Sequence, residues 1–133
     1  MTRMIVYTDG ASRGNPGRAA IGAAIYAEDG GEMIGSVSED IGYATNNVAE
    51  YKAVIAGLKE AIRLGATDVE LRADSLLLVR QLTGEYRIKA PGLKPLASEA
   101  AQLLRRFEST EVSHVRRELN EVADALANAA LDR

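Results

Sequence analysis

TNNVAEYKAVIAGLKEAIRLG, residues 45–65, is where the hydrophobic period of the chain changes. Tyr51, Val54, Ile55, Leu58 and Ile62 recur at three- and four-residue spacing, which stacks them along one face of an α-helix. Thr45 or Asn46 offers a side-chain oxygen to the free N–H groups at its start, and Gly65 ends it. Upstream the pattern belongs to strands. MIVYTD (4–9) is rich in β-branched and aromatic residues, and RAAIGAAIYA (18–27) and EMIGSVSEDI (32–41) flank Asp29-Gly30-Gly31. That Gly-Gly dipeptide supplies the positive φ angles of a hairpin turn, so the flanking strands are antiparallel neighbours. The intervening GASRGNPG (10–17) reads as a tight, ordered turn, and the first strand joins the hairpin in a meander.

Downstream, VELRAD (69–74) is a short strand and SLLLVRQLTG (75–84) a helix stopped at Gly84. Residues 85–95, with Pro91 and Pro95, form a loop. Residues 96–107 are helical, with Leu96, Leu103, Leu104 and Phe107 apolar, and EVSHVR (111–116) alternates as a strand does. The tail, 119–132, is an Ala-rich helix with Val122, Ala123, Leu126, Ala127 and Leu131 on one side. This order predicts an α/β fold: a mixed five-stranded sheet, an antiparallel meander continued by parallel strands, with helices on both faces. The first and fourth strands then lie side by side.

A chain of 133 residues suits one domain spanning 1–133. Its 47% hydrophobic and 26% charged residues are those of a globular protein. The absence of cysteine excludes disulfides, thiolate zinc sites and thiol nucleophiles, and a single histidine excludes a multi-histidine metal site. The first residues lack a secretory pattern, so a cytoplasmic protein is expected. A net charge of −3 argues against binding nucleic acid by bulk electrostatics alone. The distribution is uneven, however: Arg80 to Arg117 carries eight basic residues against four acids, and residues 1–50 three against seven. Solvated surface charge explains such a pattern equally well.

Four acids occupy positions where solubility alone does not place them. Asp9 ends an apolar strand, and a carboxylate there is costly unless paired. Asp74 ends the strand after the first crossover, the end of the sheet at which α/β proteins build sites. Glu50 falls in the first turn of the long helix, and Asp124 one turn after Asn120. Taken singly, each has a plain explanation: a turn opening for Asp9-Gly10, helix dipoles for Glu50 and Asp124, an N-cap for Asp74. Taken together on the expected sheet they converge, and converging carboxylates repel unless cations lie between them. Hard oxygen donors suit Mg²⁺.

At these residues the sequence resembles ribonuclease H type 1, in a short form without the basic protrusion. YTDGASRGNPG (7–17), NNVAEYKAVIAGL (46–58), RADSLLLVRQL (72–82) and NEVADALANAA (120–130) carry the resemblance, each with its acid and in order. The resemblance implies a ribonuclease H-like fold and an endoribonuclease that hydrolyses the RNA strand of RNA/DNA hybrids. Asp9, Glu50, Asp74 and Asp124 would hold two Mg²⁺ ions, with Mn²⁺ as the alternative, and the products would carry 5′-phosphate and 3′-hydroxyl ends. Asn46 and Asn47 match asparagines that contact the hybrid's minor groove, where an amide can both donate to and accept from a ribose 2′-hydroxyl. Asn15 resembles a substrate-contacting asparagine and Thr45 a phosphate contact, a turn-forming role being the alternative for both. A monomer is expected, and double-stranded RNA is left open as a second substrate.

Three departures stand out. Many relatives carry a histidine in the loop before the last acid, whereas this loop reads Arg116-Arg117-Glu118-Leu119-Asn120. Arg117 is the candidate substitute, a positive group for the scissile phosphate, and His114 is assigned to the interior of a strand. Leu76 replaces a glutamine. Residues 85–95 hold only Arg87, Lys89 and Lys94 as basic residues and no tryptophan. A non-catalytic binding module and a DNA-directed nuclease of the same fold are the rival readings.

Overall fold

The computed structural model describes residues 2–133. Strands β1 (Arg3–Arg13), β2 (Gly17–Tyr26) and β3 (Met33–Ala44) form the meander. Helix α1 (Asn46–Arg63) crosses to β4 (Asp68–Ala73), and α2 (Leu76–Leu82) and α3 (Lys94–Leu104) cross to β5 (Ser109–His114). A 3₁₀ turn, Arg117–Leu119, then leads into α4 (Glu121–Asp132). The sheet order is β3-β2-β1-β4-β5, with β1 antiparallel to β2 and parallel to β4. The expected α/β fold and the neighbouring first and fourth strands are therefore present.

Alternation along β1 separates two layers. Met4 and Val6 face a core closed by Tyr51, Val54 and Leu58 of α1, and Leu103 and Phe107 extend that core beneath β4. Helix α4 lies across β1, β2 and β3 on the other face. Helices on both faces explain the small residues of β2. Ala19, Ala20, Ala23 and Ala24 are wholly buried, and a Cβ on Gly22 would come within 2.2 Å of the carbonyl oxygen of Ala123 in α4. A larger side chain there would lift α4, and Asp124 with it, off the sheet.

Several expected boundaries move. GASRGNPG is not all turn: β1 runs on to Arg13, pairing Gly10 with Ile21 and Arg13 with Arg18, and only residues 14–16 turn. Of the hairpin glycines, Gly30 has a positive φ (76°) and Gly31 does not. Helix α3 starts earlier than expected, because Pro95 sits in its first turn, where its missing N–H costs nothing. Strand β5 lies two residues earlier, which puts His114 at its end, not in its interior. Residues 119 and 120 precede α4, and Val122 is 45% exposed instead of lying on the buried side. Among the described residues no helix is long and apolar enough to cross a membrane.

Candidate active site

Each of the four acids rides on a different element. Asp9 belongs to β1, one residue beyond the last β1–β4 pair, Thr8 and Ala73. Asp74 follows that same pair on the neighbouring strand. Ser75, and not Asp74, caps α2, its hydroxyl accepting from the N–H of Leu78 at 3.2 Å. Glu50 is the fifth residue of α1, one turn further in than expected, since the helix begins at Asn46 behind its cap Thr45. Asp124 lies in the first turn of α4, its N–H donating to the carbonyl of Asn120 at 3.1 Å.

Gly10 sets the distance between β1 and α1. A Cβ on it would lie 2.3 Å from the carbonyl carbon of Ala49 and 2.4 Å from the nitrogen of Glu50. Its φ is not positive, so glycine is required by the close passage of the helix and not by a turn. That passage brings Glu50 down beside Asp9.

The electrostatics register the convergence. Burial, then the charge of Asp74, then a hydrogen bond with Asp124 push the Asp9 carboxyl up to about 8, and the charge of Glu50 adds to this. Burial also raises Glu50, with Asp74 adding, while a hydrogen bond from Ser75 and the positive charge of Arg117 work against the rise. Arg117, exposed on the 3₁₀ turn, thus lies within Coulombic reach of Glu50. The ring Nε2 of His114 is 3.2 Å from the backbone oxygen of Asp74, so its polar contact is with the strand end and not with a carboxylate.

Asp9 and Asp124 approach closely enough to raise the Asp9 carboxyl, and two carboxylates so placed repel unless a proton or a cation offsets their charge. Among the described residues no three acidic or histidine side chains already stand at metal-ligand spacing. Four hard oxygen donors, short of positive charge and carried by rigid elements, fit a divalent cation of the Mg²⁺ type.

The remaining candidates form a second group. Asn15 Oδ1 accepts from the N–H of Asn46 at 3.0 Å, and Thr45 Oγ1 from that of Val48 at 3.2 Å. Asn15, Thr45 and Asn47 line a groove of about 450 Å³ with Val48, Ala90, Gly92 and Leu93. Asn46 is half-buried and Asn47 exposed at the first turn of α1. A separate hollow of about 320 Å³, between the β2–β3 hairpin tip and residues 118–123, contains none of the four acids.

Three polar residues that the sequence does not single out hold the acids in place. Ser75 sits beside Glu50 and opposes the rise of its carboxyl, Asn128 Nδ2 donates to Asp124 Oδ1 at 3.2 Å, and Asn120 Nδ2 donates to Asp74 Oδ2 at 3.0 Å. Asn128 carries a legible signal, since it stands four residues after Asp124 on one helix. Asn120 looks in sequence like an ordinary helix cap.

Comparison with known proteins agrees with this fold. The family model described as Reverse transcriptase-like matches residues 7–130. The chain is 48% identical to a ribonuclease HI of Halobacterium salinarum over 98% of its own length and 65% of the relative's. The crystal structure of RNase H1 from that archaeon superposes with a TM-score of 0.95, covering 98% of both chains. The N-terminal ribonuclease H domain of a bifunctional Mycobacterium tuberculosis protein is 42% identical, with a TM-score of 0.94 over 98% of this chain and 99% of that one. This chain spans 36% of the whole mycobacterial protein. A third structure, LC11 RNase H1 solved with an RNA/DNA hybrid, is 41% identical, with a TM-score of 0.91 over 97% of this chain and 96% of that one. With the acids brought to one edge of this sheet, the chain belongs to the ribonuclease H type 1 family.

Proposed function

We propose that this chain hydrolyses the RNA strand of RNA/DNA hybrids, leaving 5′-phosphate and 3′-hydroxyl ends. The observation that carries the reading is the gathering of Asp9, Glu50, Asp74 and Asp124 into one site, where burial first and the neighbouring carboxylates next push the Asp9 carboxyl to about 8. Carboxylates buried side by side are the arrangement that a cation between them relieves. The LC11 relative, solved on a hybrid, supports the choice of substrate.

Asp9, Glu50, Asp74 and Asp124 would hold the cations, two Mg²⁺ or Mn²⁺ by the family pattern. When bound, these supply the positive charge that makes water nucleophilic and offsets the charge of the departing oxygen. The chain itself binds and orients. Asn128 and Asn120 hold the Asp124 and Asp74 carboxylates, and Ser75 sits beside Glu50, so that little reorganisation is left for the reaction. Thr45 uses a lone pair on Val48, which leaves its hydroxyl proton for a phosphate oxygen. Asn15 accepts from Asn46 through Oδ1, which leaves its NH₂ group to donate to the substrate. Asn46 and Asn47 offer the minor groove an amide donor and acceptor at a ribose 2′-hydroxyl, the group that separates RNA from DNA. Arg117 places positive charge beside Glu50, where a scissile phosphate would lie.

End-labelled RNA/DNA, RNA/RNA and DNA/DNA duplexes incubated with Mg²⁺ or Mn²⁺ test this reading. The expected result is cleavage of the RNA strand of the hybrid, abolished by a chelator. Cleavage of DNA/DNA in preference to the hybrid would overturn the assignment, and no cleavage of any duplex with either metal would favour a binding module.

A further inference from the structure

Asn120 stands at the N-cap position of α4, yet its side chain caps nothing. Asparagine favours that position because its side-chain oxygen accepts from the free N–H groups of the first turn. Here that oxygen, Oδ1, is buried with no hydrogen-bond partner among the described residues, and the residue as a whole is 1% exposed. The amide nitrogen instead donates to the backbone oxygen of Thr8 at 2.9 Å and to Asp74 Oδ2 at 3.0 Å. A forgone cap and a buried unpaired oxygen both destabilise the fold, and a leucine of similar size would remove the second cost. What leucine cannot supply is the pair of N–H groups. One holds the carboxylate of Asp74, and the other holds the peptide immediately before Asp9. The backbone oxygen of Asn120 also accepts from the N–H of Asp124. A single residue thereby joins the segments that carry three of the four acids.

We propose that Asn120 is a positioning residue for the metal site: its amide fixes the rotation of the Asp74 carboxylate, engaging Oδ2 and leaving the other oxygen as a ligand. The inference rests on the reading of the acids as cation ligands, and the experiment separates the two. Titration calorimetry with MgCl₂, alongside thermal unfolding in EDTA, is run on the wild type, Asn120→Leu, Asp74→Asn and the double variant. Asn120→Leu is expected to unfold in EDTA near the wild-type temperature or above it, while binding Mg²⁺ about 10- to 100-fold more weakly. In the Asp74→Asn background, Asn120→Leu is expected to cause no further loss. Wild-type Mg²⁺ affinity in folded Asn120→Leu overturns the proposal whatever its stability, as does an undiminished further loss in the double variant. If leucine prevents folding, Asn120→Ser is judged by the same affinity criterion. Should Asp74→Asn bind Mg²⁺ as the wild type does, the ligand reading itself fails, and the role of Asn120 with it.

Discussion

Gly10 and Ala49 meet backbone to backbone: a Cβ on Gly10 would lie 2.3 Å from the carbonyl carbon of Ala49. No rotamer change relieves such a contact, because the obstacle is main chain. Gly10→Ala is therefore expected to push α1 away from β1, destabilising the chain by about 3 kcal/mol, the upper range for overpacking. Since Glu50 moves with the helix, activity should fall further than the folded fraction does. Urea unfolding and single-turnover cleavage measure the two effects, and a variant as stable and as active as the wild type would show that the strand and helix are not in contact.

The pH dependence of stability follows from Asp9. Burial and the neighbouring acids raise its carboxyl from 3.8 to about 8 in the folded chain, so across that interval the folded state keeps a proton that the unfolded chain has released. The stability linked to this group is full below 3.8 and is lost as pH rises to about 8. In EDTA the melting temperature should fall over that window, and Mg²⁺ should restore it at high pH. Asp9→Asn should flatten the slope, gain ~1–2 kcal/mol at pH 8 and lose cleavage. A residual rate above about a tenth of wild type would remove Asp9 from the ligand set.

Arg117 is exposed and acts at a distance on Glu50, so its contribution should be modest. Arg117→Ala is expected to slow turnover about three- to tenfold, at most ~1.4 kcal/mol of transition-state stabilisation, with melting temperature unchanged and Arg117→Lys recovering most of the rate. An unchanged rate would leave Arg117 as surface charge.

Hybrid binding should be weak and sensitive to salt. Arg87, Lys89 and Lys94 are the only basic residues in 85–95, so few phosphates are neutralised there. KM should rise roughly tenfold between about 50 and 200 mM salt. A flat KM would indicate that hydrogen bonds from Asn15, Asn46 and Asn47 dominate.

Most of this architecture was legible because period and punctuation agreed. The change of spacing at Thr45, the Asp29-Gly30-Gly31 turn and the Gly65 stop set the strand–helix order, and the order set the sheet. Gly10 was misread because a glycine between a strand and a Gly-Pro-rich stretch looks like the start of a turn. The need for it arises from α1, which packs on it from 39 positions away, as the distance from Gly10 to Ala49 shows. Asp9 and Asp74 stood out because a carboxylate at an apolar strand end is costly, whereas Glu50 and Asp124, on helices, drew notice only in company with them. Asn120 did not stand out, because capping and bridging asparagines are the same letter, and only the direction of the amide separates them.

On this reading Asp9, Glu50, Asp74 and Asp124 together hold divalent cations. A crystal soaked in MnCl₂ and measured at the manganese absorption edge tests it most directly. Anomalous peaks coordinated by oxygens of these four residues, absent from Asp74→Asn crystals soaked in the same way, are the predicted result. Peaks elsewhere on the surface, with these carboxylates bound to no ion, would contradict it.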